Sequence, residues 1–385
     1  MTQTAARLRK IIDEMSGQFF EREAVIRALV VTMLARQHSL LLGPPGAAKS
    51  ELARELTSRI TGGTYWEILL SKFTTPPQIF GPVDVAALTS RGEFRQVFDG
   101  HATEAHIGFI DEIFKCGDAA LNSMLSFLNE RKYHPEAGGA PVSCNLISAI
   151  TASNELAQTD ALDALFDRLL VRIEVGYIAD PSNFAAFVGS AVTTGARAAR
   201  TTVDLHALQA AVSTEVPAIA VGDGVIDAIC TLRAQLRRQE LVASDRRWKQ
   251  GIRLLQASAY LADRDEVTTE DMVILAHVLW EQISQRPGVE REVLSLVNPD
   301  AREALDLLDA INELAAELDA MAGQSAEKLS SWGFEANQKL KRAAARLDSM
   351  HDESGAAGRS TATLDPIIAR CRDVRSRVAS EALGI

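Results

Sequence analysis

The sequence predicts an α/β fold: a parallel sheet with helices on both faces, followed by an all-α region and a helical arm. Three observations carry this. Short apolar runs alternate with helix-periodic segments through about residue 176, the pattern of a parallel sheet covered on both sides. From Asp180-Pro181 onward only helical periodicity remains. Beyond Gln285-Arg286-Pro287-Gly288, Leu307, Ile311, Leu314, Leu318 and Met321 recur at spacings of four and three, as do Ile367, Cys371, Val374 and Val378. That is the seam of a coiled-coil-like arm.

The elements follow in order. Leu8, Ile11, Ile12 and Met15, then Val25, Ile26, Leu29, Val30, Met33 and Leu34, predict two helices broken at Ser16-Gly17. His38 to Leu42 reads as a buried strand, and the helix opening at Glu51 runs to about Thr61, where Gly62-Gly63 ends it. Tyr65 to Leu70 is a second strand, and Thr74 to Phe80 a short helix with Pro76-Pro77 in its first turn. Val83 to Leu88 and Glu93 to Phe98 flank Thr89-Ser90-Arg91-Gly92, which predicts a hairpin insertion over about 83–98. Ile107 to Ile110 is a strand ending in Asp111-Glu112, followed by a helix from Asp118 to Leu128. Gly138-Gly139 predicts a second hairpin insertion over about 131–143. Leu146 to Thr151 and Leu169 to Val175 are the last strands, the first ending in Ala152-Ser153-Asn154. Helices are expected at 182–189, 205–213, 223–240, 245–262 and 269–283, and in the arm at Gln338 to Met350, with a loop from Asp352 to Gly358. Residues 1–180 therefore read as the αβα core, 181–287 as an all-α domain and 288–385 as a helical hairpin or three-helix arm.

Composition narrows the function classes. A net charge of −11 disfavours a general nucleic-acid binder, so no nucleic-acid partner is expected. No apolar stretch approaches the ~20 residues of a membrane span. Cys116, Cys144, Cys230 and Cys371 are scattered, with no CxxC or Cys/His cluster, which supports neither a zinc site nor a disulfide framework. Met1 to Lys10 lacks the apolar core of a secretion signal, and a cytoplasmic location is expected.

The chemistry is concentrated at Gly43-Pro44-Pro45-Gly46-Ala47-Ala48-Lys49-Ser50, followed by Glu51. This fits the phosphate-loop pattern GxxxxGK[S/T] apart from Ala48, in the strand–loop–helix context that the pattern needs. Small residues let backbone N–H groups face phosphates. Lys49 can reach the β- and γ-phosphates, and Ser50 can hold Mg²⁺. The Ala48 methyl is tolerable if that residue is helical. Asp111 and Glu112 end an apolar strand, where ligands of a doubly wound sheet sit. Asp111 can hold Mg²⁺, and Glu112 can polarise an attacking water. Asn154 can orient that water or touch the γ-phosphate. Arg168, before the last strand, can supply charge to a neighbouring subunit's γ-phosphate, while Asp167 reads as structural. Arg253, inside the helix that starts near Asp245, can report nucleotide state, with Arg246 and Arg247 as weaker candidates. Lys72-Phe73-Thr74 can line a pore, and the Arg91 turn can contact a partner.

This order of motifs resembles the AAA+ ATPases, and within them the MoxR family. The narrowing residues are Leu41 to Ser50, Phe109 to Lys115, Leu128-Asn129-Glu130-Arg131 and Ala164-Leu165-Phe166-Asp167-Arg168. Ser244 to Lys249 with Ile252 to Ala257 looks like the regulatory ATPase (RavA) branch, which also carries Ala before the phosphate-loop lysine. The resemblance covers about residues 5–290. It implies a P-loop NTPase core, an all-α lid, ATP/ADP and Mg²⁺ as ligands, and a homo-hexameric ring. It implies hydrolysis coupled to remodelling a partner with a von Willebrand factor A domain. It places adenine contacts near Gly17 to Glu21 and the lid. The chain departs from the family's best-known member in the arm, residues 288–385, which has no room for the β-rich insertion expected between the arm helices. A nucleotide-gated scaffold with little turnover, the ATPase subunit of a metal-chelatase-like complex and a DNA motor remain alternatives, the last disfavoured by charge.

Overall fold

The computed structural model describes residues 2–135, 138, 140–156, 164–192, 200–297, 299–321, 326–356, 361 and 364–383. Nine strands are described: β1 (Ser39–Leu42), β2 (Ile60–Thr61), β3 (Tyr65–Leu69), β4 (Ile107–Asp111), β5 (Lys132–Tyr133), β6 (Val142–Ser143), β7 (Ser148–Ser153), β8 (Val171–Glu174) and β9 (Val203–Asp204). Five of them form one parallel sheet in the order β3-β4-β7-β1-β8. The central strands β1 and β7 are buried at every residue, as helices on both faces require. β3, at the edge, keeps only Trp66 buried.

The register decides where the chemistry lies. Leu42 pairs with Ser153, and Leu69 with Asp111. The chain leaves three adjacent strands, β4, β7 and β1, at Glu112, Asn154 and Gly43. Because β7 lies between the other two, Asn154 stands between Glu112 and the loop after β1.

His38 fixes that alignment. Its ring is buried, Nε2 donates to Leu128 O at 2.7 Å, and Nδ1 accepts from Ala149 N–H at 2.9 Å. Burial first, then the charge of Arg131, pushes its pKa down to about 3, so the ring stays neutral. A lowered histidine pKa means that the unfolded chain takes up the proton first. Stability should therefore fall as pH drops below the usual 6.5, by about 1.4 kcal/mol per pH unit. Glu14, held at about 2 chiefly by its hydrogen bond from Thr201, adds its own loss only below the usual carboxylate value of 4.5. Urea unfolding of wild type and His38→Gln between pH 6.5 and 5 checks this, since the variant should lose most of the slope.

A second buried polar cluster ties the N-terminal helix Gln3–Ser16 to the helix Lys49–Ser58 and to β9. The fully buried Arg59 pairs with Glu14 and, at 2.8 Å, with Glu55. Glu14 in turn accepts from Thr201 Oγ1 at 2.5 Å, and β2 pairs with β9 beside it.

The chain divides into two compact units, one of residues 1–229 and 242–283, the other of residues 230–241 and 284–385. In the first, the predicted hairpin over 83–98 is replaced by something else. Val83 and Gln96 do bridge antiparallel, but Val85–Arg91 coils into a short helix between them. Asp84 caps it by accepting from Ala87 N at 2.9 Å, and Gly92 ends it at φ 66°. Ala86-Ala87-Leu88 are good helix formers, and Asp84 with Gly92 supplies both ends. The second insertion is a hairpin, with Lys132 opposite Ser143 and Tyr133 opposite Val142; Gly139 lies outside the described residues. Thr269–His277, expected as α-helix, is a 3-10 helix.

The second unit is a bundle of the helices Pro299–Ala320, Ala326–Ala356 and Leu364–Arg377. Ile311, Leu314, Leu318, Ile367, Cys371, Val374 and Val378 are buried in one core with Leu340, Leu347 and Met350. Leu307 packs on its edge, and Met321 is only half-buried. The middle helix is longer than the sequence suggests, for Asp352–Ala356 continues it rather than starting a loop. Ser349 Oγ donates to Glu353 at 2.8 Å across one turn, and Ser354 is fully buried. Ala357 and Gly358 lie outside the described residues. No described helix is long and apolar enough to cross a membrane.

Candidate functional site

The loop Gly43–Ala48 joins β1 to the helix Lys49–Ser58. Gly43 N–H donates to Ser153 O at 3.2 Å, which pins the loop's start to β7. A Cβ at Gly43 would lie 2.0 Å from Val175 O, so only glycine fits there. Ala48 is not helical. It sits in the left-handed region at φ 63°, ψ 21°, with no side-chain cap bond at that helix start. The condition under which its methyl would be tolerable, a helical residue 48, is therefore not met. The sheet and the helix dictate the loop's path, and the residue bears the strain. Left-handed geometry costs roughly 1–2 kcal/mol for a residue with a Cβ, against the ~0.5–1 kcal/mol of chain entropy that glycine adds. Ala48→Gly should raise the urea midpoint slightly, by under about 1 kcal/mol in stability. A fall would mean that the methyl contributes packing that exceeds its strain.

The predicted residues meet at the strand ends. Lys49 is buried, and its Nζ donates to Gly43 O, to Pro44 O at 3.0 Å and to Asn154 Oδ1 at 3.0 Å. Asn154 Nδ2 donates to Glu112 Oε1 at 3.1 Å. Glu112 Oε1 also pairs with Lys115 Nζ at 3.2 Å. The row Lys49–Asn154–Glu112 is thus joined by one amide using both its ends. Burial lowers the Lys49 pKa, while Asp111 and Glu112 hold it up. Glu112, like Ala48, is left-handed, at φ 52°. Asp111 accepts from the Glu112 N–H at 2.9 Å, which holds that turn. Strained non-glycine residues gather where surrounding structure fixes a geometry for use.

Ser50 and Asp111 line one cleft of about 140 Å³, with Arg54, Glu67, Ile68, Leu69 and Phe109. A hydroxyl and a carboxylate on one small cleft are the hard oxygen donors that Mg²⁺ takes, with room left for water and phosphate. The residues fit the ion. No group of three or more His, Cys, Asp and Glu suited to a metal occurs among the described residues. Arg54 closes the cleft's edge by pairing with Glu67 at 2.8 Å, and Tyr65 OH donates to the same carboxylate at 2.7 Å.

Arg168 and Arg253 are placed elsewhere. Arg168 is half-buried in the turn before β8, with Nη1 donating to Ala164 O at 2.7 Å. Its Nε is buried without a hydrogen-bond partner among the described residues. Desolvation, then Arg246, lowers its pKa, and Asp167 opposes them. Arg253 lies on the helix Asp245–Leu261, and its Nη1 is likewise buried without a hydrogen-bond partner. Asp167 pairs with Arg246 at 3.4 Å and Arg247 at 3.2 Å. Phe73 is 82% exposed on its loop, as a contact residue would be. In the segment named for adenine, Glu21 accepts from the backbone N–H of Ala179 and Asp180 at 2.9 Å each.

Sequence reasoning missed three contributors. Lys115 neutralises Glu112, Tyr177 OH donates to Pro45 O at 3.1 Å, and Arg172 is buried beneath the Arg168 turn. Only Lys115 left a signal, its place three residues after Glu112 on a tight turn.

Comparison with known proteins follows this geometry. Residues 6–210 match the family described as the MoxR domain in the MoxR-vWA-beta-propeller ternary systems. Residues 224–293 match the AAA lid domain. The chain is 32% identical over 318 residues to an uncharacterized protein of Methanocaldococcus jannaschii, covering 83% of this chain and 82% of that one. It is 27% identical over 176 residues to the chaperone MoxR1 of Mycobacterium tuberculosis, covering 44% of each chain. A crystal structure of a candidate ATPase from Cytophaga hutchinsonii superposes with a TM-score of 0.61 at 15% identity, over 76% of this chain and 94% of that one, and shares the fold. With its parallel core, its lid and its phosphate loop, the chain belongs to the MoxR family of AAA+ ATPases.

Proposed function

We propose that the chain hydrolyses Mg-ATP as one subunit of a hexameric ring, and that the cycle remodels a partner protein bearing a von Willebrand factor A domain. The observation that carries the hydrolytic part is the row Lys49–Asn154–Glu112, whose bonds of 3.0 and 3.1 Å run across three adjacent strand ends. The partner rests on the name of the matched family, which pairs MoxR with vWA and β-propeller proteins. The remodelling role rests on the chaperone relative.

Each residue has a task that its position suits. The Gly43–Ser50 backbone and Lys49 bind the phosphates. Mg²⁺, held by Ser50 and Asp111, would neutralise charge on the β- and γ-phosphate oxygens. Glu112 orients and deprotonates the attacking water as general base. Asn154, hydrogen-bonded to both Lys49 and Glu112, aligns that water with the γ-phosphate. Arg168 serves the site of the adjoining subunit, and Arg253 reports the nucleotide to the lid.

The test measures native mass and ATPase rate together, with and without Mg-ATP, for wild type and Lys49→Ala. A hexamer whose turnover vanishes in the variant is the expected result. A monomer or dimer without turnover would leave a nucleotide-gated scaffold instead.

A further inference from the structure

The turn that carries Arg168 is gripped from three sides, all within one compact unit. Beneath it lies Arg172, fully buried, with its guanidinium 3.7 Å from the centre of the Phe166 ring. Arg172 Nη2 donates to Phe166 O at 3.2 Å and Nε to Leu169 O at 3.1 Å. Those carbonyls bracket Asp167 and Arg168. Its Nη1 donates to Trp280 O, at the far end of the lid sequence. From a second side comes Arg247, also buried, at the start of the helix Asp245–Leu261. It pairs with Asp167 at 3.2 Å and with Glu281 at 3.1 Å. Ser244 caps this helix by accepting from Arg247 N–H at 3.4 Å. From the third side, Phe114 packs on Phe166 with ring centres 6.2 Å apart. Phe114 stands two residues after Glu112.

The geometry points to a clasp: Arg172, Arg247, Asp167 and Phe114 position Arg168, so that the state of one subunit's own site sets the reach of the arginine it lends to the next. This rests on the reading of Arg168 given above. The turn's own bonds hold its backbone, Arg168 N–H donating to Leu165 O at 3.0 Å and Leu169 N–H to Phe166 O at 3.2 Å, and the lid contacts hold the side chains on either side of Arg168. Among the described residues, Nη1 of Arg168 reaches only back to Ala164, whereas its neighbours are bonded to the lid at Arg246, Arg247 and Trp280. Arg253 sits on the same helix as Arg247, so a lid shifted by nucleotide shifts the Asp167 anchor with it. The Glu112 turn touches the same Phe166. Both routes end on one residue pair, Asp167-Arg168. These four are positioning residues, acting through Arg168 and not on the reacting atoms.

The test uses the full chain in mixed assemblies. Subunits with Glu112→Gln do not hydrolyse, and are mixed with wild-type subunits. The mixture is repeated with Glu112→Gln/Arg247→Ala and with Glu112→Gln/Arg168→Ala. Turnover is read per wild-type site, along with KM. The Arg247→Ala mixture should fall well below the Glu112→Gln mixture, by up to about 100-fold as for a displacement of roughly 1 Å. KM should not move, because the wild-type sites bind on their own, and Arg247→Lys should recover part of the loss. A fall confined to the Arg168→Ala mixture overturns the clasp. No fall in either mixture removes the trans role of Arg168, and the clasp with it. Arg247 is buried and its loss can unfold the chain, so Glu281→Gln is the second variant. That side chain is 51% exposed, and the change removes the charge that pairs with Arg247. A smaller fall in the same direction, with unchanged thermal unfolding, is expected; unchanged turnover counts against the proposal.

Discussion

Glu112→Gln should retain ATP while its turnover falls by about 10²–10⁴-fold, the usual contribution of a general base. The substitution keeps the side chain's length and an oxygen that can still accept from Asn154 Nδ2. It removes the charge that pairs with Lys115 at 3.2 Å and the basicity toward water. The left-handed turn at φ 52° should survive, since its brace is the Asp111 carboxylate accepting from the residue 112 N–H at 2.9 Å. Nucleotide affinity should therefore stay within a few-fold of wild type. Rapid-quench hydrolysis beside retention of labelled ATP on a filter makes the measurement. Hydrolysis close to the wild-type rate would remove Glu112 from its role and transfer attention to Asn154.

Arg168→Ala should lower kcat by about 10³–10⁵-fold, or about 4–7 kcal/mol of barrier, with nucleotide affinity nearly unchanged. The split between the two readouts is the point. An arginine that acts on a neighbouring subunit's γ-phosphate contributes mainly in the transition state. Its buried Nε has no hydrogen-bond partner among the described residues and its pKa is lowered first by desolvation, so little described within the subunit depends on it. Thermal unfolding should barely change. Equal losses of affinity and turnover would place Arg168 at its own subunit's nucleotide instead.

Some of this was legible in the sequence, for reasons that differ from residue to residue. The strands β4 and β7 are largely apolar runs that end in a polar residue, and β1 is an apolar run followed by Gly43 to Ser50. That much is local information. The meeting of Lys49, Asn154 and Glu112 follows from strand order, which no local pattern in the sequence gives. The conformation of Ala48 was not legible, because the loop between a fixed strand and a fixed helix, and not any local pattern, demanded φ 63°. Residues 85–91 misled because a seven-residue segment carries too few periods to separate strand from helix. Arg172 read as one polar residue in a strand. Nothing local announces that it lies beneath an aromatic ring, since its partners Phe166 and Trp280 come from separate elements. Tyr177 depends on a contact 132 positions away.

The strand order also bears on how such a chain can diverge. β7 separates β4 from β1 and is buried at all six residues, with Asn154 immediately beyond it. Side chains alternate between faces along a strand, so a one-residue insertion in β7 would exchange its faces and carry Asn154 away from both neighbours. The turns at Gly92 and around Gly138 carry no such constraint. Length variation among descendants of this gene should therefore collect in those two insertions and avoid β7, and a library of single-codon insertions would map the boundary directly.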